Sequence, residues 1–141
     1  EDLNKLNIQR SYVFLDACFS GGASRSRNML AGTRPVLIDP PTIPFKTDKV
    51  IALSSTKGGQ VSNSYPERKH GLFTYFLLGG LRGDADKDGD GWVSMEELFE
   101  YVRENVAKIS RRKGTEQDPT LNPPLDTVRG LGSVKISKVA K

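Results

Sequence analysis

Two short apolar runs, YVFLDA at 12–17 and KVIALSS at 49–55, constrain the fold of this chain more than any other feature. Both are rich in aromatic or β-branched residues, too short for a buried helix, and run into small residues. Each is therefore expected to be a buried β-strand. Two longer runs follow with a different period. In HGLFTYFLLGGLRG, residues Leu72, Phe73, Phe76, Leu77 and Leu81 fall on one helical face, predicting a helix over 72–82. In SMEELFEYVRENVAKIS, Leu98, Val102, Val106 and Ile109 recur at helical spacing, predicting a second helix over 94–110. Ser94 with Glu97 three residues later is a capping-box start for that second helix. Strands alternating with helices across long connections define an α/β domain with a largely parallel sheet.

Between the two strands, residues 20–48 carry Gly, Ser, Arg and four prolines (Pro35, Pro40, Pro41, Pro44), the mark of a long irregular connection. Leu3, Leu6 and Ile8 suggest the tail of an amphipathic helix. The Pro-rich QDPTLNPPLD is expected to lead into a last strand, GSVKIS at 132–137. Three or so strands make a thin sheet, so the chain is expected to be part of a larger domain. Its 141 residues are about one domain's worth of sequence, with 36% hydrophobic and 27% charged residues. The 21 lysines and arginines exceed the 17 acids by four, but the excess is scattered. Only SRRKG at 110–114 and SRSR at 24–27 cluster, without interleaved aromatics, so no nucleic-acid partner is expected. No apolar run approaches the ~20 residues that span a bilayer, and no signal pattern is visible. The expectation is no membrane partner and an intracellular chain, or one cut from something longer.

The first strand ends in SYVFLDACFSGG, which holds the single cysteine, Cys18. One cysteine excludes an internal disulfide. Functional groups of open α/β sheets gather at the carboxyl ends of strands, where Cys18 stands, and turn N–H groups there can bind an oxyanion. The residues alone leave two readings of Cys18, an activated nucleophile or a small buried hydrophobe. The only histidine, His70, is the only imidazole available to it within the sequence.

LDACFSGG resembles the catalytic-cysteine segment of the caspase-like cysteine peptidases, in particular the metacaspases and their bacterial relatives, which carry Asp-x-Cys-x-Ser-Gly. The likeness continues through ALSSTKGGQVSNSYPERKHGLFTYFLLGGLRGDADKDGDG and the later EQDPTL, in family order. It implies a caspase-hemoglobinase-like three-layer α/β sandwich, of which residues 1–141 are the C-terminal portion. It also implies a cysteine endopeptidase in which Cys18 attacks the scissile carbonyl and its own backbone N–H helps bind the oxyanion. Asp16 matches an acid that metacaspases use to line the S1 pocket for Arg or Lys, and Ser54 and Ser55 match residues lining the same pocket. An anionic pocket suits a cationic side chain. True caspases have Gln-Ala-Cys-Arg-Gly instead, so cleavage after aspartate is not implied by Asp16 and Phe19. Metacaspases often carry a further Asp in the loop after the second strand; this chain has Gln60, Ser62 and Asn63 there.

The family's catalytic His lies upstream of its Cys in a His-Gly motif. The seventeen residues before Cys18 contain none. His70 precedes Gly71, but its context KHGLFTYFLL matches the family's downstream helix start. The resemblance therefore implies that an upstream segment or subunit of the same domain supplies the base. The chain alone would then be nearly inactive, because an unpaired thiol lacks general-base activation.

DKDGDGWVSMEE at 86–97 matches an EF-hand loop over all twelve positions. Asp86, Asp88 and Asp90 stand at positions 1, 3 and 5, and Gly91 at 6. Trp92 offers its carbonyl at 7, Ser94 stands at 9, and Glu97 can bind bidentately at 12. Ca²⁺ is the cation such a loop takes; the chemistry of a cysteine peptidase requires no cofactor. The loop is also readable as a solvated Asp/Gly turn in which Glu97 only completes the capping box. Two other functions remain compatible with the sequence: a catalytically inert interaction module, and a calcium-binding structural module centred on 72–110.

Overall fold

A computed structural model describes residues 9–16, 49–57, 62–65 and 70–139. The expected helix tail at Leu3–Ile8, the 20–48 connection and Cys18 lie outside these residues. Strand β1 is Ser11–Leu15 and β2 is Val50–Ser54, paired parallel in the register Ser11↔Val50 to Leu15↔Ser54. The pairing continues past the last register pair, where the Ser55 N–H donates to the Leu15 carbonyl at 2.8 Å. Both strands stand where the sequence predicts them, with shifted bounds: β1 begins one residue earlier, at Ser11, and Asp16, Lys49 and Ser55 lie just outside the strands.

β2 is the central strand. Val50, Ile51, Ala52 and Leu53 are all buried, which explains why that run shows no polar alternation. Its second neighbour is β6, Thr120–Asn122, antiparallel with Leu53 opposite Leu121. The sequence reading of QDPTLNPPLD as a connection to the last strand is corrected here, because this segment contains the third strand of the main sheet. Pro119 and Pro123 bracket it and cannot donate to a ladder, so β6 lies at an edge of the sheet order β1-β2-β6. β1 forms the other edge among the described residues, and all five of its residues are only half-buried.

The short strands β3 (Ser64–Tyr65) and β4 (His70–Gly71) pair antiparallel and deliver the chain into α1, Leu72–Gly79. The expected helix over 72–82 does not run its full length as an α-helix. It gives way at Gly79–Gly80 to a π-helical turn over Gly80–Asp84. Glycine is a weak helix former, and this pair sits where α1 meets α2, Met95–Arg112. A Cβ on Gly80 would stand 2.7 Å from Leu98 Cδ1, so glycine is what lets the two helices approach. Leu98, Val102 and Val106 on α2 are fully buried, facing Phe73 and Leu77 of α1 within one core that also takes in Ile51, Leu53 and Leu121.

Ser94 caps α2 with the full capping box. A short helix, α3 (Leu125–Gly130), lies against α2, tied by Arg129 to Glu96 at 2.6 Å and Glu100 at 3.1 Å. These pairs are exposed and stabilise little. The final strand β7 is Lys135–Lys138, later than the expected 132–137, because Gly132 turns the chain with φ +82. It joins not the main sheet but β5, Trp92–Ser94, antiparallel. The whole is an α/β domain whose central strand orders the core. Leu98→Ala is expected to lower the stability of the domain by about 2–5 kcal/mol, measured as a shift in the urea midpoint at constant m.

Candidate active site

The carboxyl ends of β1 and β2 meet at Asp16 and Ser55. Asp16 is exposed, yet both of its carboxylate oxygens are engaged. Oδ1 accepts a hydrogen bond from the Ser62 hydroxyl at 2.8 Å, and Oδ2 accepts one from the Thr74 hydroxyl at 2.5 Å. Oδ2 also lies against Gly71: a Cβ there would stand 2.6 Å from it. Residues 62, 71 and 74 thus converge on one acid from the β2–β3 connection, β4 and the first turn of α1.

Behind this cluster sits Gln117, only 1% exposed, in the segment that leads into β6. Its Oε1 accepts from the Asn63 backbone N–H at 2.8 Å and from Asn63 Nδ2 at 3.0 Å. Its Nε2 donates to the Ser55 carbonyl at 3.1 Å and to the Ser62 hydroxyl at 3.4 Å. An amide has two donor and two acceptor sites, and here all four are used. The sequence reading assigned no role to Gln117 or Thr74, and noted Ser62 and Asn63 only as departures from an acidic loop. Gln117 is flanked by charged Glu116 and Asp118, which reads as solvated loop. Its one signal was membership of the EQDPTL segment of the resemblance.

Of the other residues assigned to the pocket, Ser54 is half-buried at the end of β2. Ser55 is buried, its backbone N–H and C=O spent on Leu15 and Gln117. His70 is exposed on β4 and pairs with Tyr65. Cys18 lies outside the described residues, two positions beyond Asp16.

The residue pattern and this geometry point the same way as the match of the chain to a family model. The model of the Caspase domain matches residues 1–127. The chain belongs to the caspase-domain family. No curated protein and no solved structure matches it. Membership makes this a peptidase-type domain, with proteins or peptides as the implied substrates.

The acidic loop of this caspase-family domain lies beyond the far end of α1 from Asp16. Carboxylate oxygens of Asp86, Asp88 and Glu97 lie within 4.8 Å of one another. Asp86 accepts from the N–H groups of Gly89 and Gly91, and Glu97 from those of Lys87, Asp88 and Ser94. Burial pushes the Glu97 carboxyl up, but the bonds from Ser94, Lys87 and Asp88 outweigh it and hold the group below its ordinary value. Asp90 is turned to the outside of this group. Lys135 of β7 donates to its Oδ2 at 2.8 Å, and with the Trp92 N–H it lowers the Asp90 carboxyl. Trp92 lies in β5 with Lys135 and Lys138 over its ring, and the Ser94 hydroxyl is used by Glu97. Three of the six expected ligands therefore converge, and that donor set fits a hard cation. A cleft of about 410 Å³ adjoins the loop between Asp88, Glu97 and Arg129; it does not reach Asp16.

Because the buried Gln117 side chain makes four bonds, Gln117→Leu takes a partner from both the Asn63 N–H and the Ser55 carbonyl. The variant is expected to lose about 1–3 kcal/mol in urea unfolding.

Proposed function

We propose that this domain is a cysteine endopeptidase of the metacaspase-like group that cleaves after Arg or Lys, with Cys18 as nucleophile and Asp16 as the reader of the basic side chain. The observation that carries this reading is the carboxylate of Asp16, exposed and held from two sides at the carboxyl ends of β1 and β2, in the family segment that supplies the catalytic cysteine. A fixed anion there complements a guanidinium or ammonium group. Ser54 at the β2 end and the backbone of Ser55 form the neighbouring wall.

The thiolate of Cys18 adds to the scissile carbonyl, and the backbone N–H of Cys18 receives the developing oxyanion. The C–N bond breaks as the amine leaves with a proton from the general acid. Water then hydrolyses the thioester, returning the thiol and releasing the acid product. The acid and base is a histidine from an upstream segment or subunit of the domain, since the sole His70 is exposed on β4. A docking place for that segment is the half-buried strand β1, an edge of the sheet among the described residues.

The convergence of Asp86, Asp88 and Glu97 supports a second reading of the 86–97 loop as a weak Ca²⁺ site, with a dissociation constant on the order of 10⁻⁴–10⁻³ M. Its role would be to brace the turn between the helices, not to enter the chemistry. Calcium titration by calorimetry is expected to show one site that Glu97→Gln weakens; no heat with the native protein contradicts it.

The peptidase reading is tested with fluorogenic peptides ending in Arg, Lys or Asp, on the chain combined with its upstream segment. Arg and Lys peptides are expected to be cleaved, Cys18→Ala to abolish turnover, and Asp16→Asn to lower kcat/KM for Arg roughly tenfold to a hundredfold. Cleavage after Asp alone, or turnover that survives Cys18→Ala, contradicts it.

A further inference from the structure

We propose that Ser62, Thr74 and Gln117 are specificity-positioning residues that set the Asp16 carboxylate to accept a guanidinium fork, so that the domain prefers arginine over lysine. The inference rests on the reading of Asp16 as the acid that meets the substrate's basic side chain, and it goes further in choosing between two cations and in naming what makes the choice.

Obligate donors and acceptors fix the direction of every hydrogen bond in the network. The Asn63 backbone N–H can only donate, so the atom of Gln117 facing it at 2.8 Å is the carbonyl oxygen. The Ser55 carbonyl can only accept, so the atom facing it at 3.1 Å is the amide nitrogen. The two ends of the Gln117 amide are thereby assigned independently and consistently. The remaining Nε2 hydrogen points to the Ser62 oxygen at 3.4 Å, and Ser62 in turn directs its own proton to Asp16 Oδ1 at 2.8 Å. Thr74, from α1, closes on Oδ2 at 2.5 Å. Gly71 leaves room for that oxygen where any side chain would strike it at 2.6 Å.

Each carboxylate oxygen has about two lone-pair sites. Among the described residues, one site on each oxygen is taken, by Ser62 and by Thr74, and no described donor takes the second on this solvent-exposed residue. Two such sites, one per oxygen on a plate that cannot rotate, match the two parallel N–H groups of a guanidinium. A lysine ammonium is a point charge and gains nothing from the fixed plane. Two hydroxyls on opposite oxygens also hold the carboxyl against rotation about its χ2, which a solitary exposed aspartate would undergo freely. Gln117 touches neither the acid nor the substrate; it acts through Ser62 and holds the 62–63 segment to the end of β2.

The test is steady-state hydrolysis of peptides that differ only in an Arg, Lys or citrulline residue before the scissile bond, by the chain combined with its upstream segment. The native protein is expected to favour Arg over Lys about tenfold in kcat/KM and to leave citrulline, the neutral isostere, uncleaved. Ser62→Ala and Thr74→Val are each expected to bring the Arg-to-Lys ratio down about threefold or more, through KM for the Arg peptide, while Thr74→Ser restores it. Gln117→Glu, which keeps the acceptor and loses both donors, is expected to reduce the ratio too, and to add nothing in the Ser62→Ala background. A general loss of fold would move Arg and Lys together and would not be rescued by Thr74→Ser. If Asp16→Asn abolishes the preference for basic residues while Thr74→Val and Ser62→Ala leave the Arg-to-Lys ratio intact, the clamp is refuted and Asp16 keeps its role. If Asp16→Asn leaves cleavage after Arg unchanged, the reading of Asp16 fails and the clamp with it.

Discussion

The interaction on which the candidate site depends is the fully satisfied side chain of Gln117. One buried amide in the segment entering β6 joins it to the end of β2 and the loop that follows β2, both more than fifty residues earlier in sequence. Without it, the Ser55 carbonyl and the Asn63 N–H would each lose this partner, and Ser62 would lose one of the bonds that hold it beside Asp16. Buried polar networks of this kind rigidify when complete and destabilise when half-made. Here all four sites of the Gln117 amide are used, and the outermost member of the network is Asp16, which is exposed to solvent.

The rest of the domain supplies the frame for that arrangement. β2 is buried on both sides and fixes the position of Ser55, while the parallel ladder with β1 brings Asp16 alongside it. Gly71, the N-cap of α1, is where the chain must pass close to Asp16, and the first turn of α1 presents Thr74. The packing of α1 on α2 through Gly80 and Leu98 then carries the orientation of that first turn into the core. The acidic 86–97 loop lies past the other end of α1, pinned by the pairing of β5 with β7. Its geometry bears on how the two helices are joined and leaves the Asp16 cluster untouched.

The strong periodic elements were legible in the sequence. The two strands, the stripe of Leu98, Val102 and Val106, and the Ser94–Glu97 cap follow from local physics that tertiary context did not override. β6 was not legible, because three residues bracketed by prolines carry no strand signal; only the ladder with Ala52, Leu53 and Ser54 of β2 makes Thr120–Asn122 a strand. β7 was placed too early and in the wrong sheet, since Gly132 and the pull of Trp92–Ser94 decide its course. At the site, Asp16 was visible through the spacing of the resemblance. The hydrogen bonds around it were not, because Thr74 looks like a polar lapse in an apolar helix and Gln117 like a solvated loop residue. Long-range polar partners leave no period in a sequence.

The most direct measurement of the central claim is covalent labelling of Cys18 by acyloxymethyl ketone peptides ending in arginine or aspartate, on the chain combined with its upstream segment, mapped by mass spectrometry. The account predicts a single adduct, on Cys18, formed rapidly by the arginine probe and slowed by Asp16→Asn. Equal labelling by both probes, or no adduct on Cys18, would contradict it.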